Sequence, residues 1–304
     1  MRKLVLTVCV ALTAMAAQAQ ATKAEGWKII SNYNLNFANA AFSTYQAAGG
    51  QNNITVAGLI DVNATKPIGK GKWDNALTLA YGANRIGSVV SGAAFRKIDD
   101  RILFTSAYTQ KLKENWGLTA GGLFRSQFAD GFEFPKAGGS NLISTLFSPA
   151  YIEIDMGPTY TKPDYTITIS PIAYKATIVN NAAIVALAKY IPANKGTNFR
   201  SQLGLAVDAK YIKSFAENIN FKSKMRLFMD YTTPTKVDVN VEALLNFKVN
   251  KFIAVGLGAA YIYDDDIKFN ILKADGTPAG YKGTRGQFSN ILTVGVTYQL
   301  KNYE

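Results

Sequence analysis

The sequence predicts an all-β fold: a transmembrane up-and-down antiparallel β-barrel of about 12 strands, with short periplasmic turns and long extracellular loops. Three observations support this prediction. Apolar and polar residues alternate with a period of two along most of the chain, the alternating segments are long, and their connections alternate between short and long. A tilted strand needs roughly 9–11 residues to cross a bilayer, and short turns at one end with long loops at the other are typical of outer-membrane barrels.

The N-terminus has the composition of a cleaved signal peptide, predicted over residues 1–19. Basic residues Arg2 and Lys3 precede an apolar stretch from Leu4 to Met15, which is shorter than the roughly 20 residues of a spanning helix. Ala17-Gln18-Ala19 then provides a small-residue cleavage site. We therefore expect export through a Sec-type signal, and residues 20–304 are predicted to form a single outer-membrane barrel domain.

The alternation defines the predicted strands and their two faces. It is clearest in the segment 236–248, where Val239 and Val241 lie on one face and Asn240 and Glu242 on the other. We expect the apolar face to contact lipid and the polar face to line the lumen. The predicted strands are 27–37, 53–65, 73–84, 100–111, 116–127, 150–161, 165–176, 199–212, 219–231, 236–248, 252–263 and 289–300.

Aromatic residues separate a membrane barrel from a soluble β-sandwich. On the apolar face they concentrate at the two strand ends, for example Trp73 and Trp116 near the short turns and Tyr81 and Phe124 near the long loops, with aliphatic residues between them. Amphipathic rings favour the headgroup level of a bilayer, so two aromatic girdles around an aliphatic band indicate a transmembrane barrel. A soluble sandwich would scatter its aromatics along one inner face.

The composition excludes several kinds of chemistry. The chain has no histidine, and its one cysteine, Cys9, lies within the predicted signal peptide. Histidine-dependent hydrolases, His-ligated zinc sites and disulfide frameworks are therefore excluded. We expect no enzymatic activity, no cofactor and no metal. Although the net charge is +12, lysines alternate with acids along strand faces, so nucleic-acid binding is not expected either. The expected partners are the outer-membrane lipid bilayer and, during biogenesis, the barrel-assembly machinery.

The chain also resembles an uncharacterised family of Gram-negative outer-membrane β-barrels, known as domain of unknown function 3078. The resemblance depends on the order and spacing of short motifs: Ala47-Ala48-Gly49-Gly50-Gln51-Asn52, Trp73-Asp74-Asn75, Arg96-Lys97-Ile98-Asp99-Asp100, Gln127-Phe128, Phe147-Ser148-Pro149-Ala150-Tyr151, Ser170-Pro171 and Tyr263-Asp264-Asp265-Asp266. It implies the fold and a location in the outer membrane. The family has no assigned substrate, so the resemblance implies no particular chemistry.

Charged residues on three predicted inner faces are candidates for a function in the lumen. When neighbouring strands are aligned across their turns, Asp208 lies opposite Lys222 or Lys224, and Glu242 lies opposite Arg226 or Lys224. Such pairs could form a transverse charge ladder that braces the wall, or the same lysines could line an anion-selective pore. The full candidate set is Asp208, Lys210, Lys222, Lys224, Arg226, Asp238, Glu242 and Lys248.

Two predicted loops have unusual compositions. In the segment 180–195, Asn181 is expected to cap a short helix that continues to Tyr190 and ends before Pro192. Its apolar residues Ile184, Val185, Leu187 and Tyr190 could pack on 142–147, fold into the barrel mouth, or act as a lid over a hydrophobic ligand. Asp264-Asp265-Asp266 could bind calcium, or could keep a loop solvated.

The sequence leaves more than one function open. The first hypothesis is a passive or gated channel or transporter for small solutes, because the inner faces are polar. The alternative is a non-conducting structural or interaction barrel whose loops bind a partner, and an enzyme is a distant third. Barrels of about eight strands are filled by side chains, whereas those of 16–18 strands contain aqueous channels, so about twelve strands do not decide between the first two.

Overall fold

The computed structural model describes residues 26–40, 52–87, 94–134, 139–191, 198–250, 252–265, 267, 269–272 and 278–303. The predicted signal peptide, Asp266 and Pro192 lie outside these residues. In the described part of the chain, no helix is long and apolar enough to cross a bilayer, a finding that concerns helices alone.

The molecule is a closed 12-strand antiparallel barrel, as predicted. The ring runs in the order β1-β16-β13-β12-β11-β10-β9-β8-β5-β4-β3-β2, and the first and last strands pair to close it. All twelve predicted segments correspond to barrel strands, several of which are longer than expected. The barrel strands are β1 (Lys28–Ala40), β2 (Asn53–Ile68), β3 (Gly71–Ile86), β4 (Arg96–Lys113), β5 (Trp116–Ser126), β8 (Ala150–Thr161), β9 (Tyr165–Ile178), β10 (Phe199–Ala216), β11 (Ile219–Asp230), β12 (Val237–Lys248), β13 (Ile253–Tyr263) and β16 (Gln287–Lys301).

The remaining elements belong to the long loops at one end of the barrel. Strands β6 (Gly131–Glu133) and β7 (Asn141–Ser144) pair between β5 and β8, and β14 (Phe269–Leu272) and β15 (Pro278–Gly283) pair between β13 and β16. A one-turn helix, α1 (Ala182–Ala186), lies between β9 and β10. Tight turns join the strands at the other end. The connection 231–236 is also short although it lies on the long-loop side.

The outer surface of the barrel is apolar and exposed. Ile154 on β8, Leu203 on β10 and Val294 on β16 have exposed fractions of 57%, 54% and 57%. Alternation along each strand places their polar neighbours on the inner side. A continuous apolar surface is unfavourable in water, so this pattern fits a barrel whose outer face contacts the hydrocarbon of a membrane.

The lower aromatic girdle, at the short-turn end, consists of rings in mutual contact. The ring centroids of Trp27 and Trp73 lie 5.7 Å apart, those of Trp116 and Tyr160 lie 5.0 Å apart, and those of Tyr211 and Phe221 lie 6.0 Å apart. These residues occupy outward positions, with Trp27 directly before β1 and the others on β3, β5, β8, β10 and β11. The structure therefore confirms the aromatic girdle predicted near the short turns.

A bulge in β9 changes which of its residues face the lumen. The register of β9 shifts between the pairs Ala206–Ser170 and Gly204–Ala173, so an extra residue is accommodated near Pro171. Proline lacks a backbone N–H and is tolerated at such positions. Below the bulge Thr168 faces inward, and above it Lys175 faces inward. Uninterrupted alternation would have directed Lys175 into lipid.

We predict that an arginine on the lipid face destabilises the barrel far more than one facing the lumen. Val294 faces outward, about midway between the exposed aromatics Phe288 and Tyr298. Val294→Arg should lower the free energy of unfolding by about 2–4 kcal/mol, because the guanidinium enters hydrocarbon. Thr293→Arg is the matched control, since Thr293 faces the lumen opposite Gly256. Denaturant titration in lipid vesicles measures both, and equal losses would contradict the assigned faces.

Candidate functional site in the barrel lumen

The guanidinium of Arg226 is the centre of a cluster of carboxylates inside the barrel. Arg226 lies on β11, and its Nη1 donates to Oδ2 of Asp208 on the neighbouring β10 at 2.6 Å. Its Nε lies 2.7 Å from Oε2 of Glu153, and its Nη2 lies 3.1 Å from Oδ2 of Asp155. Both of these acids are on β8, three strands away around the ring. Arg226 therefore reaches across a segment of the lumen and binds three carboxylates.

Lys175 forms a second cross-lumen cluster. The Nζ of Lys175, on β9, lies 2.7 Å from Oδ2 of Asp238 on β12, again three strands away, and 3.3 Å from Oδ2 of Asp264 beyond β13. The side chain of Lys175 is only 8% exposed, and its ammonium lies 5.5 Å from the centroid of the Phe228 ring. On its own strand pair Lys175 stands opposite Glu153, so the two clusters are adjacent.

These two clusters carry more negative than positive charge. Two cations, Arg226 and Lys175, contact five carboxylates, those of Glu153, Asp155, Asp208, Asp238 and Asp264. Burying unpaired charge is costly, so the ion pairs hold these side chains in place. The arrangement joins strands β8 to β12 through their inner faces.

One ion pair connects opposite walls of the barrel. Nη1 of Arg101 on β4 lies 3.9 Å from Oε1 of Glu242 on β12, and these strands are six positions apart in the ring of twelve. Nη2 of Arg101 also lies 3.7 Å from Oδ2 of Asp99 on its own strand. The side chains of Arg101 and Glu242 are 35% and 44% exposed, so the contact lies in a water-accessible region. It narrows the lumen at this level.

The structure brings together only some of the residues predicted for a charge ladder. Asp208 stands opposite Arg226, so the predicted pairing with Lys222 or Lys224 was wrong. The register differs by two residues from the alignment that pairs Asp208 with Lys224 and by four from the one that pairs it with Lys222. Glu242 stands opposite Lys224, which was one of the two expected partners, while its ion pair is with Arg101.

The remaining candidates occupy separate positions on the inner wall. Lys210 stands opposite Lys224, and Lys222 stands between Ile212 and Leu244. Lys248 stands opposite Ala254 at the short-turn end, and Asp238 binds Lys175. The lower part of β10 and β11 is therefore rich in lysine, whereas the carboxylate clusters lie higher.

Sequence reasoning missed the acids Glu153 and Asp155, and also Lys175 and Arg101. The bulge at Pro171 reverses the face on which Lys175 lies, and Ser170-Pro171 within a strand was the available signal. Nothing in the sequence shows that strands three or six positions apart in the ring contact each other through their side chains.

Threonine hydroxyls join four strands near the short-turn end. The Oγ1 atoms of Thr109 and Thr119 lie 2.9 Å apart, and those of Thr119 and Thr159 lie 2.6 Å apart. The Oγ1 atoms of Thr159 and Thr168 lie 2.8 Å apart. These residues are on β4, β5, β8 and β9, which are consecutive in the ring. The chain of hydrogen bonds satisfies polar groups on this inner wall without any charge.

Strands β13 and β16, which adjoin β12 in the ring, carry small residues at several inward positions. On β13 the inward positions include Gly256 and Gly258, and a Cβ added at Gly258 would lie 2.8 Å from Cγ2 of Ile291. Ile291 and Leu244 face the lumen beside these glycines, yet they are 52% and 36% exposed. Ile291 thus occupies the space beside Gly258, and the lumen-facing side chains here are more exposed than Glu153 or Lys175.

The apolar segment after β9 packs onto neighbouring loops at the long-loop end. The side chain of Asn181 accepts hydrogen bonds from the backbone of Ala183 and Ile184, which confirms the predicted cap. The helix ends at Ala186, so the prediction that it continues to Tyr190 was wrong. Residue Ala188 has a φ of 47°, which stops regular helix formation.

Packing buries part of this segment's apolar surface. Ile184 is 1% exposed and forms a core with Val179 and Ile191, against which Leu142, Val185 and Tyr190 pack. The Tyr190 hydroxyl donates to the Ile143 carbonyl at 2.9 Å, and burial raises the pKa of this hydroxyl well above its usual range. Leu187 is 37% exposed. Contact with the 142–147 region, one of the expected arrangements, is present, and a role as a lid stays a prediction.

The described aspartates of the 264–266 motif form ion pairs. Asp264 binds Lys175, and Asp265 lies 2.6 Å from Nζ of Lys236. Among the residues that the structure describes, no group of three or more potential ligand side chains is arranged to hold a metal ion. The motif therefore contributes to the cation-bridged network at the barrel rim.

Together, the closed antiparallel ring, the apolar exterior, the aromatic girdle and the charged lumen define a transmembrane β-barrel of the outer-membrane type. The sequence model of a family described as "Protein of unknown function (DUF3078)" matches residues 37–132, about a third of the chain. This match confirms the family resemblance over that part of the sequence. No curated protein matches the chain.

Several solved barrels are similar to this chain at low identity. The COG4313 outer membrane channel from Pseudomonas putida F1 is 8% identical, with 90% of this chain and 96% of that chain covered and a TM-score of 0.41. The NanC porin is 10% identical, with 89% and 100% covered and a TM-score of 0.38. The translocator domain of the autotransporter NalP from Neisseria meningitidis is 10% identical, with 96% and 94% covered and a TM-score of 0.35. At these values the similarities carry no conclusion about activity.

We predict that removing Arg226 leaves its carboxylates unpaired and destabilises the barrel. Arg226→Gln should cost about 3–5 kcal/mol of unfolding free energy in lipid vesicles, as for other buried ion pairs that lose one partner. Adding Glu153→Gln should restore part of this loss, since one repelling charge is removed. Lys222→Gln is the control, because Lys222 stands opposite the apolar residues Ile212 and Leu244. If the losses of Arg226→Gln and Glu153→Gln simply add, the proposed role of Arg226 is wrong.

Proposed function

We propose that this protein is a channel for small solutes in the outer membrane, with a lumen narrowed by ion pairs between its walls. The observation that carries this proposal is the asymmetry of the lumen. Charged side chains join β8 to β12, while the adjoining strands β13 and β16 have small inward residues such as Gly258 and an exposed Ile291. A solute would pass beside the charged clusters rather than through them.

The pair formed by Arg101 and Glu242 is suited to restrict this passage. It joins opposite walls, its distance of 3.9 Å is long for an ion pair, and both side chains are partly exposed. Pairs of this kind contribute little to stability, so they can separate at small free-energy cost. The Arg226 and Lys175 clusters are more buried and would remain fixed. The proposed channel thus has a permanent brace and a separable contact.

Delivery to the outer membrane is part of the same proposal. Export would use the predicted signal peptide over residues 1–19, and insertion would use the barrel-assembly machinery. The aromatic girdle and the apolar exterior support a membrane-inserted state. We propose no catalytic role, since the buried lumen cations Arg226 and Lys175 are engaged in ion pairs and the chain has no histidine.

We predict that purified protein in a planar bilayer gives small unitary current steps. Glu242→Ala and Arg101→Ala should each increase the unitary conductance, because either change removes the contact between opposite walls. Asp164→Asn is the matched control, since Asp164 forms an ion pair with Lys213 at a turn outside the lumen, at 2.8 Å. Its conductance should equal that of the unmodified protein. Silence of all three proteins and of the unmodified chain at every voltage would contradict the channel.

The second candidate is a non-conducting barrel whose long-loop end binds a partner. The observation in its favour is the ordered packing at that end, where Oγ of Ser148 accepts hydrogen bonds from the backbone of Asn180 and Asn181 at 2.9 Å. This contact ties two long loops together beside the buried Ile184. Absence of conductance from folded protein would favour this candidate.

A further inference from the structure

Four lysines point outward at the short-turn end of the barrel, each near a different tight turn. Lys66 stands opposite Trp73, Lys113 opposite Trp116 and Lys213 opposite Phe221. Lys162 follows β8 directly, and its Nζ lies 6.0 Å from the centroid of the Tyr160 ring. Because Trp73, Trp116 and Phe221 occupy lipid-facing positions, the lysines paired with them lie on the outer surface as well.

These lysines lie at the border between the aromatic girdle and water. The Nζ of Lys66 is 5.8 Å from the centroid of the Trp27 ring, which packs on Trp73. Amphipathic aromatic rings occupy the headgroup level of a bilayer, and lysine stems extend along apolar surface so that the ammonium reaches the interface. The ammonium groups are therefore placed at the level of lipid phosphates in the leaflet at the short-turn end.

The opposite end of the same wall differs in its charge. There the outward-facing Lys97 is bound to Asp100 at 2.8 Å, and that acid is only 2% exposed. Of the four outward lysines at the short-turn end, Lys213 alone forms an ion pair with an acid, Asp164, among the residues that the structure describes. Lys66 and Lys162 contact aromatic rings instead, and Lys113 is exposed beside Trp116. Four positively charged side chains are thus located on one lipid-facing rim, whose turns also carry Glu114, Asp164 and Glu217.

We propose that this rim binds the headgroups of anionic phospholipids, of the phosphatidylglycerol type, in the leaflet that surrounds the short turns. Complementary charge supports this partner, because a lysine near a membrane surface attracts anionic lipid with about 1 kcal/mol. The occupant is a lipid headgroup rather than a soluble anion, since the ammonium groups of Lys66 and Lys162 lie beside rings of the lipid-facing girdle. The proposal is independent of whether the lumen conducts.

The three tryptophans of the chain allow a direct test, because Trp27, Trp73 and Trp116 all lie on this rim. The folded protein is placed in phosphatidylcholine vesicles that contain brominated phosphatidylglycerol or brominated phosphatidylcholine, and quenching of tryptophan fluorescence gives a relative association constant. At low ionic strength phosphatidylglycerol should be favoured about fivefold, which corresponds to about 1 kcal/mol. In about 1 M NaCl the preference should fall towards one, because the Debye length is then about 3 Å.

Two variants that each lose three lysine charges distinguish lipid contact at the outer rim from a general effect of the protein's net charge. The outer variant carries Lys66→Gln, Lys113→Gln and Lys162→Gln, and should lose the preference. The inner variant carries Lys28→Gln, Lys111→Gln and Lys301→Gln at the same end of the barrel. These lysines stand opposite the lumen-facing Thr65, Gly117 and Ile30, so the inner variant should keep the preference.

Three results would overturn the proposal. One is equal quenching by both brominated lipids in the unmodified protein at low salt. Another is an equal loss of preference in the outer and inner variants. The third is a preference that survives both high salt and the outer substitutions. Far-UV circular dichroism confirms that each variant is folded before it is measured.

Discussion

The hydrocarbon core of a membrane offers no hydrogen-bond partners, and every other feature of this structure depends on that constraint. A sheet placed there must leave no unpaired edge, so its first and last strands must pair. Strand β1 pairs with β16 over the register from Ile30–Lys301 to Asn36–Gly295. Beyond the last strand, Asn302 accepts a hydrogen bond from the backbone of Ile29 and donates one to the carbonyl of Trp27. The ring is thus closed and its termini are fixed at the short-turn end.

Closure in lipid determines where polar side chains can lie. The outer face must be apolar, so the charges of the strands collect in the lumen or at the rims. In the lumen they bind one another, with Arg226 and Lys175 each holding carboxylates on strands three positions away. This makes one wall crowded and rigid. The adjoining strands β13 and β16 have glycines at inward positions, and Ile291 is exposed there. The lumen is therefore asymmetric although the ring of strands is regular.

The alternation of apolar and polar residues predicts most of the fold, because it shows for each strand which residues face lipid and which face the lumen. It predicts all twelve barrel strands, the closure and the girdle around Trp73 and Trp116. The pairing of the candidate functional residues depends on the register between neighbouring strands, which the alternation constrains less. A shift of two residues preserves the faces of β10 and β11, so the pattern cannot tell whether Asp208 meets Lys222, Lys224 or Arg226. Helix α1 is shorter than its apolar composition predicts, because Ala188 has a positive φ that ends the regular helix.

The sequence by itself determined the membrane barrel, because alternation, strand length and the placement of aromatics are local properties that each segment carries alone. It also determined which charges face inward on uninterrupted strands such as β12. Only the tertiary structure decided which charges meet. Arg101 and Glu242 contact each other because the ring closes and brings β4 opposite β12, and Lys175 faces the lumen because β9 bulges at Pro171. These contacts join residues that are far apart in the chain, and no local sequence pattern indicates which side chains meet across a closed lumen.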